Sequence, residues 1–285
     1  MKISHIGFIG FGLIGGSIAK AVRQFCPECH ITATSRSLAP LETAQADGVI
    51  DTVAEGVTDT FSDCDIIFIC TPVVTITKYF SLLKPIIKPT CILTDVGSVK
   101  GTIHQAATNL GLEEYFIGGH PMAGSELSGY AHAYADLLAG AKYVITPSAK
   151  TSTERLDTYI QFVKDIKAVP IVMDYKTHDY CTAAISHVPH LASAALAKLV
   201  KDSDCKEAYM HLLAAGGFKD TTRIAASSPE MWEQICTSNP EAITHLLADY
   251  INLLTDIKEH ISNGETHSIY ALFEEAGAYR NTFTK

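Results

Sequence analysis

This 285-residue sequence contains few positively charged residues for its acidic content. Lysine and arginine number 22 against 31 aspartates and glutamates, so the net charge at neutral pH is −9. A basic face, which nucleic acids and anionic membranes require, is therefore not expected. The sequence also lacks internal repeats, and no apolar stretch looks long enough to cross a bilayer. We expect a cytoplasmic protein with neither a nucleic-acid nor a membrane partner.

The two pairs of ligands that a structural zinc site needs are also not found in the sequence. The eight cysteines are scattered, and Cys26-Pro27-Glu28-Cys29-His30 is the one run that spells C-x-x-C-H. Haem attachment at such a run requires export, and a structural zinc site requires a second pair of ligands, which we do not find. Buried free thiols in a reducing compartment and no metal are the expectation.

A glycine-rich turn near the start is the most informative feature that is present. An apolar run over residues 3–9 precedes Gly10-Phe11-Gly12-Leu13-Ile14-Gly15, which spells G-x-G-x-x-G and opens an apolar-periodic helix. Glycines allow the backbone to approach a pyrophosphate, and the N-terminus of the helix attracts its charge. The strand before the turn and the helix after it supply the required context. We predict a dinucleotide site at these residues.

Strand-like runs alternate with helical patterns through the first half. The strand-like runs are 31–35, 65–70, 91–94, 115–119, 143–146 and 170–173, and helices are predicted at 73–83, 99–110 and 153–167. This alternation predicts an α/β fold, a doubly wound (Rossmann-type) parallel sheet with helices on both faces. From about residue 178 the pattern is helical only. We predict a dinucleotide-binding domain at 1–173 and an all-α domain at 174–285 for substrate binding and homodimer formation.

The end of the second predicted strand bears on the choice of cofactor. NAD sites usually place an acidic residue there, whereas this chain has Ser35-Arg36-Ser37. Arg36 could bind a 2′-phosphate and Ser35 could donate a hydrogen bond to it. These residues favour NADP, with NAD as the alternative. Thr71 and Pro72, after another predicted strand, lie where the ribose and pyrophosphate would run.

Two further glycine-punctuated runs end predicted strands, and one contains Gly118-Gly119-His120-Pro121. A hydride transfer from an alcohol needs a group that takes the hydroxyl proton, and histidine suits that role near pH 7. Arg223, in the helical part, is a candidate carboxylate clamp. His187 and His190 could bind a metal, but the intervening proline and a nicotinamide-dependent reaction argue against one.

Together these motifs resemble the prephenate/arogenate dehydrogenases, enzymes of tyrosine biosynthesis. The resemblance extends to about residue 260, and the matching runs are Gly10–Gly15, Thr94–Lys100, Gly118–Glu126, His178-Asp179, Ser186–His190 and Gly217–Arg223. The resemblance implies His120 as the catalytic base, Ser98 as its partner and Arg223 as the carboxylate-binding residue. The other pocket residues that it implies are His190, His187, Glu126 and Trp232.

The implied reaction is oxidative decarboxylation of prephenate to 4-hydroxyphenylpyruvate with hydride transfer to NAD(P)⁺. Arogenate is the alternative substrate, because His190 resembles prephenate-using members whereas Ser35-Arg36 resembles NADP-using ones, several of which prefer arogenate. Two other functions stay open. One is a hydroxyacid dehydrogenase, which usually relies on a lysine of its helical domain. The other is a non-catalytic NADP-sensing protein, which would not need His120, Ser98 and Arg223 together.

Overall fold

Alternating strands and helices occupy the first 173 residues of the computed structural model, which describes residues 3–124 and 127–283. The strands are β1 (His5–Ile9), β2 (His30–Thr34), β3 (Thr52–Val53), β4 (Ile66–Ile69), β5 (Ile92–Asp95), β6 (Ile117–Pro121), β7 (Lys142–Pro147) and β8 (Val169–Val172). The helices among them are α1 (Leu13–Phe25), α2 (Ala39–Ala46), α3 (Val73–Leu83), α4 (Gly101–Asn109) and α5 (Thr153–Asp165).

Helices alone follow β8. They are α6 (Tyr175–Thr182), a π turn (Ala183–His187), α7 (Val188–Ser203), α8 (Tyr209–Leu213), α9 (Gly216–Thr222), α10 (Pro229–Ser238), α11 (Pro240–Ser262) and α12 (Thr266–Arg280). Residues up to Asn239 form one compact unit, and those from Pro240 on form a second, made of α11 and α12. The fold class predicted from the sequence is confirmed.

A five-stranded parallel sheet in the order β3-β2-β1-β4-β5 forms the dinucleotide-binding part. Successive residues of β4 point to opposite layers, as the period of a strand requires. Ile66 and Phe68 pack in one layer with residues of α1 and α5, and Ile67 and Ile69 pack in the other with residues of α3. Because both of its faces are covered, β4 is apolar throughout rather than alternating.

The later strands differ from the single parallel sheet that the sequence predicts. β6, β7 and β8 form a separate three-stranded sheet in which β6 and β7 are antiparallel and β7 and β8 are parallel. An isolated parallel bridge between Leu93 and Phe116 links β5 to β6. Between β6 and β7 the described residues form only 3₁₀ turns, Tyr130–His132 and Ala135–Leu138, and provide no crossover helix of the kind that returns a chain parallel.

The helix that begins the second half corrects another expectation. Residues Tyr175–Ser203 run continuously through α6, the π turn and α7, and are long and apolar enough to cross a membrane by length and composition. Only 22% of that window is buried inside the chain. However, the same helix holds His178, Asp179 and His187, which are buried against other parts of the first compact unit. Polar side chains held by protein groups in this way are typical of a helix in a folded core.

Gly119 shows why β6 contains a glycine pair. A Cβ at this position would lie 2.7 Å from the backbone oxygen of Asp95 and 2.8 Å from each hydroxyl of Tyr143 and Tyr159. The two tyrosines are fully buried and bonded to each other at 2.9 Å, and Tyr159 also bonds Thr94 at 2.7 Å. The backbone of β6 can therefore lie against this group only without a side chain.

We predict that Gly119→Ala lowers the free energy of unfolding by roughly 1–3 kcal/mol, because the added methyl overpacks a rigid buried group. Urea denaturation monitored by circular dichroism measures this change as a lower midpoint. Gly277→Ala in α12 is the control, since its Cβ would meet nothing within 4 Å. Equal midpoints for Gly119→Ala and the wild type would contradict this account of the motif.

Candidate active site

The turn from β1 to α1 contains the predicted dinucleotide-binding glycines. Gly10 has a φ of +86°, which only glycine adopts without strain. Gly12 is the N-cap of α1, with no side-chain cap and nothing within 4 Å of where its Cβ would be. The first N–H groups of α1, beginning with those of Leu13 and Ile14, are the donors that such a turn offers to an anion.

The end of β4 borders this turn closely. A Cβ on Gly10 would lie 2.7 Å from the backbone oxygen of Cys70 and 2.9 Å from Cγ2 of Thr71, and a Cβ on Gly15 would lie 2.9 Å from the Gly10 oxygen. The Thr71 hydroxyl is buried and has no partner among the described residues. Pro72 then caps α3. An open cradle beside an orphaned hydroxyl fits a dinucleotide.

Ser35 and Arg36 follow β2, the strand next to β1. Ser35 is half-buried and Arg36 is exposed. The Gly10 N–H donates to the Thr34 oxygen at 2.8 Å, so the end of β2 is fixed to the glycine turn. The structure thus places the ends of β1, β2 and β4 side by side, as the sequence predicts for the cofactor residues.

A second cavity, of about 530 Å³, lies among residues of β6, α7 and α10 and the turns beside them. Six side chains predicted from the sequence for catalysis or substrate binding line it: Ser98, His120, His187, His190, Arg223 and Trp232. Apolar side chains such as Met122, Ile224 and Met231 fill in between. Glu126, the other predicted pocket residue, lies outside the described residues.

His120 stands near the end of β6, opposite Val144 of β7. Burial holds the pKa of its imidazole well below the ordinary value of 6.5, and the neighbouring His178, Lys100 and His187 lower it further. The ring is therefore neutral at physiological pH. A neutral imidazole has one nitrogen that can accept a proton.

His178 is the hydrogen-bond partner that the structure gives His120, at 2.8 Å between Nε2 of His178 and Nδ1 of His120. Nδ1 of His178 lies 2.8 Å from Oδ1 of Asp179. His178 and Asp179 form one of the runs that match the family, and the resemblance implies no role for either. Their one signal in the sequence is a histidine beside an aspartate at the start of a helix.

Asp95 and Lys100 form an ion pair with both side chains fully buried. Asp95 also accepts hydrogen bonds from the Gly97 and Gly119 N–H groups, at 2.8 and 3.3 Å. Nearby, His104 of α4 is 4% exposed, and burial lowers its pKa to about 4. A charged pair with these extra hydrogen bonds fixes the loop between β5 and α4, which holds Ser98.

The π turn brings His187 into the cavity. His187 follows His178 by nine positions, which in an uninterrupted α-helix would place the two on opposite faces, about 180° apart. A π turn holds one extra residue and reduces this angle to about 80°. Asn239 donates to the Asp179 backbone oxygen at 2.8 Å and lies 3.4 Å from His187 Nδ1. His187 is 1% exposed, and burial lowers its pKa to about 4.

His190 and Trp232 form an aromatic wall. Their rings stack at 4.0 Å between centroids, and His190 Nδ1 donates to the Ser186 oxygen at 2.8 Å. Trp232 lies in the first turn of α10, which starts where the Ser228 hydroxyl accepts from the Met231 N–H. Arg223, at the end of α9, lines the same cavity.

Comparison with known proteins identifies the family. Residues 18–172 match the family described as "Prephenate dehydrogenase, nucleotide-binding domain". Residues 174–275 match "Prephenate dehydrogenase, dimerization domain".

Individual relatives cover almost the whole chain. A prephenate dehydrogenase of Bacillus subtilis is 34% identical over 95% of this chain and 74% of its own. The structure of an A. aeolicus prephenate dehydrogenase with hydroxyphenyl propionate and NAD⁺ superposes with a TM-score of 0.92 at 30% identity, covering 99% of each chain. A Synechocystis arogenate dehydrogenase superposes with a TM-score of 0.88 at 31% identity, covering 98% of this chain and 100% of that one. The chain therefore belongs to the prephenate dehydrogenase family.

Proposed function

We propose that this protein catalyses the oxidative decarboxylation of prephenate to 4-hydroxyphenylpyruvate, with a nicotinamide dinucleotide as hydride acceptor. The observation that supports this most is the single cavity that joins a neutral, half-buried His120 to Arg223 in a chain of this family. A proton acceptor and a carboxylate-binding group are the two functions that the reaction requires from side chains. A non-catalytic NADP sensor would need neither.

The reaction consists of one proton transfer, one hydride transfer and one C–C cleavage. Prephenate has a hydroxyl on one ring carbon and a carboxylate on the opposite one. Nε2 of His120 takes the hydroxyl proton as C4 loses its hydride, and the electrons of the O–H bond form the new C=O bond. The ring carboxylate then leaves as carbon dioxide, its electron pair makes the ring aromatic, and the phenolate oxygen that results takes back a proton, for which protonated His120 is the donor at hand. The nicotinamide, when bound at the glycine turn, supplies the hydride acceptor.

We favour prephenate as the substrate because the cavity wall formed by His190 and Trp232 contains a hydrogen-bond donor. The Trp232 Nε1–H is buried and has no partner among the described residues. An indole N–H can only donate, so it suits the keto oxygen of the prephenate side chain and not the ammonium that arogenate has at the same carbon. The relative from B. subtilis bears the name of a prephenate dehydrogenase.

NADP is the proposed cofactor and NAD the alternative. Exposed Arg36 lies two residues after the end of β2, where an acidic residue would repel a 2′-phosphate. We predict that the wild type reduces NADP⁺ with prephenate faster than in the three other mixtures of prephenate or arogenate with NADP⁺ or NAD⁺. Absorbance of the reduced cofactor measures all four.

The matched variant is Arg36→Ala, which should raise KM for NADP⁺ about 10-fold or more through loss of a charge-assisted contact, with little effect on NAD⁺. Lys164→Ala, on exposed α5 surface, controls for the change in net charge. Turnover of arogenate without turnover of prephenate would make arogenate the substrate in place of prephenate. No turnover in any mixture would contradict the proposed function.

For His120→Asn we predict that kcat falls by ~10²–10⁴ while KM for prephenate changes little, because asparagine cannot accept the proton. Steady-state kinetics at saturating cofactor measures both constants. His132→Asn, at an exposed 3₁₀ turn, is the control for the same chemical change. An unchanged kcat in His120→Asn would remove this residue from the mechanism.

For Arg223→Ala we predict a rise in KM for prephenate with a smaller change in kcat, since a carboxylate clamp binds substrate and transition state alike. Arg223→Lys should recover part of the loss, because lysine keeps the charge but not the planar fork. Normal KM in both variants would refute the clamp.

We further propose a homodimer formed through the helical part from residue 174 on. Large apolar side chains are exposed there, including Ile185 at 68%, Leu199 at 61% and Leu213 at 80%. Surfaces of this kind mark protein interfaces, and the matched family description names dimerization. The eight free cysteines are consistent with a cytoplasmic enzyme.

A further inference from the structure

A line of hydrogen bonds extends from His120 away from the cavity. Nδ1 of His120 meets Nε2 of His178, and Nδ1 of His178 meets Oδ1 of Asp179, each at 2.8 Å. The Asp179 carboxylate also accepts from the backbone N–H of Lys100 at 2.8 Å and of Gly101 at 2.7 Å. These two N–H groups belong to the start of α4, where the helix dipole favours a negative charge.

The directions of these bonds follow from the carboxylate. An ionised carboxylate only accepts hydrogen bonds, so Nδ1 of His178 must donate to Asp179. In neutral His178 the other nitrogen, Nε2, is then an acceptor, and Nδ1 of His120 must donate to it. The single proton of neutral His120 is thereby assigned to Nδ1, and Nε2 keeps its lone pair.

We propose that His178 and Asp179 are positioning residues that hold the proton of His120 on Nδ1, so that Nε2 is the nitrogen that accepts the substrate's proton. The choice of Nε2 as acceptor rests on the proposed function, whereas the position of the resting proton does not. Without the pair, the proton could occupy Nε2, and a ring in that state cannot take another proton from a ligand at that atom.

The His178–Asp179 pair also stabilises the positive charge that His120 gains during the reaction. When Nε2 gains a proton, His120 becomes an imidazolium whose Nδ1–H points at His178, and Asp179 stabilises the positive charge through it. The other titratable or charged groups around this line are Lys100, which is paired with Asp95, and the buried His104 and His187. Asp179 is the anion that takes part in this line of hydrogen bonds.

Nitrogen NMR of the full-length protein tests the tautomer directly. In protein labelled with ¹⁵N-histidine and held near pH 7.5 without substrate, we expect His120 to show a protonated Nδ1 and an unprotonated Nε2. The spectrum of His120→Asn assigns the signals by their loss. A wild-type His120 protonated on Nε2 would overturn the proposal, and this outcome depends on no measurement of activity.

His178→Gln tests the pair in turnover. We expect its His120 proton to move at least partly to Nε2 and kcat to fall by ~10–10⁴-fold with little change in KM, as for other histidine bases in the wrong tautomer. His104→Gln is the matched control, because His104 is buried beside the line but bonds Thr146, at 2.9 Å, instead of His120. We expect this control to keep the wild-type tautomer.

The two proposals fail in different ways. An unchanged tautomer and kcat in His178→Gln would refute the positioning role while leaving the dehydrogenase function intact. A proton on Nδ1 in a protein that consumes no cyclohexadienol would refute the function and leave the hydrogen-bond assignment intact.

Discussion

The carboxylate of Asp179 is the group on which the arrangement of the site depends. It belongs to the first helix after the sheets, yet it accepts the backbone N–H groups of Lys100 and Gly101 at the start of α4. One side chain therefore joins the helical segment to the dinucleotide-binding sheet, and it orients His178 at the same time. Charge-assisted bonds at a helix N-terminus are among the stronger polar contacts available to a protein. The position of His120 relative to the helical wall of the cavity follows from this contact.

Around Asp179 the protein buries several polar side chains, among them Asp95, Lys100 and His178. Asp95 and Lys100 are fully buried as a pair, and a hydrophobic pair of similar volume would often be as stable or more so. What the ion pair provides here is a fixed conformation for the loop that holds Ser98, with Asp95 also accepting from Gly97 and Gly119. The absence of side chains at Gly118 and Gly119 allows β6 to approach this pair closely. Rigid placement of β6 and His120 therefore takes precedence over apolar packing.

The sequence predicts the local features well and the distant contacts poorly. The glycine turn, α3 and His120 are encoded by neighbouring residues, and α3 has the predicted bounds. The antiparallel pairing of β6 with β7 could not be predicted from the sequence, because a short apolar run does not specify the direction of its partner strand. Pro189, the proline between His187 and His190, does not end the helix Tyr175–Ser203 but follows the π turn inside it. The role of His178 depends on His120, 58 positions away, and that of Asp179 on Lys100, 79 positions away.

Keeping histidines uncharged makes the site acid-labile. His104 and His187 have pKa values of about 4 in the fold and 6.5 when unfolded. Between these two pH values the unfolded chain binds protons at both residues and the folded chain does not. Their contribution to stability is complete above pH 6.5 and is lost as the pH falls towards 4, at a cost of roughly 3 kcal/mol for each. Acid therefore acts on this protein as a denaturant directed at the cavity that His187 lines and at α4, which holds His104.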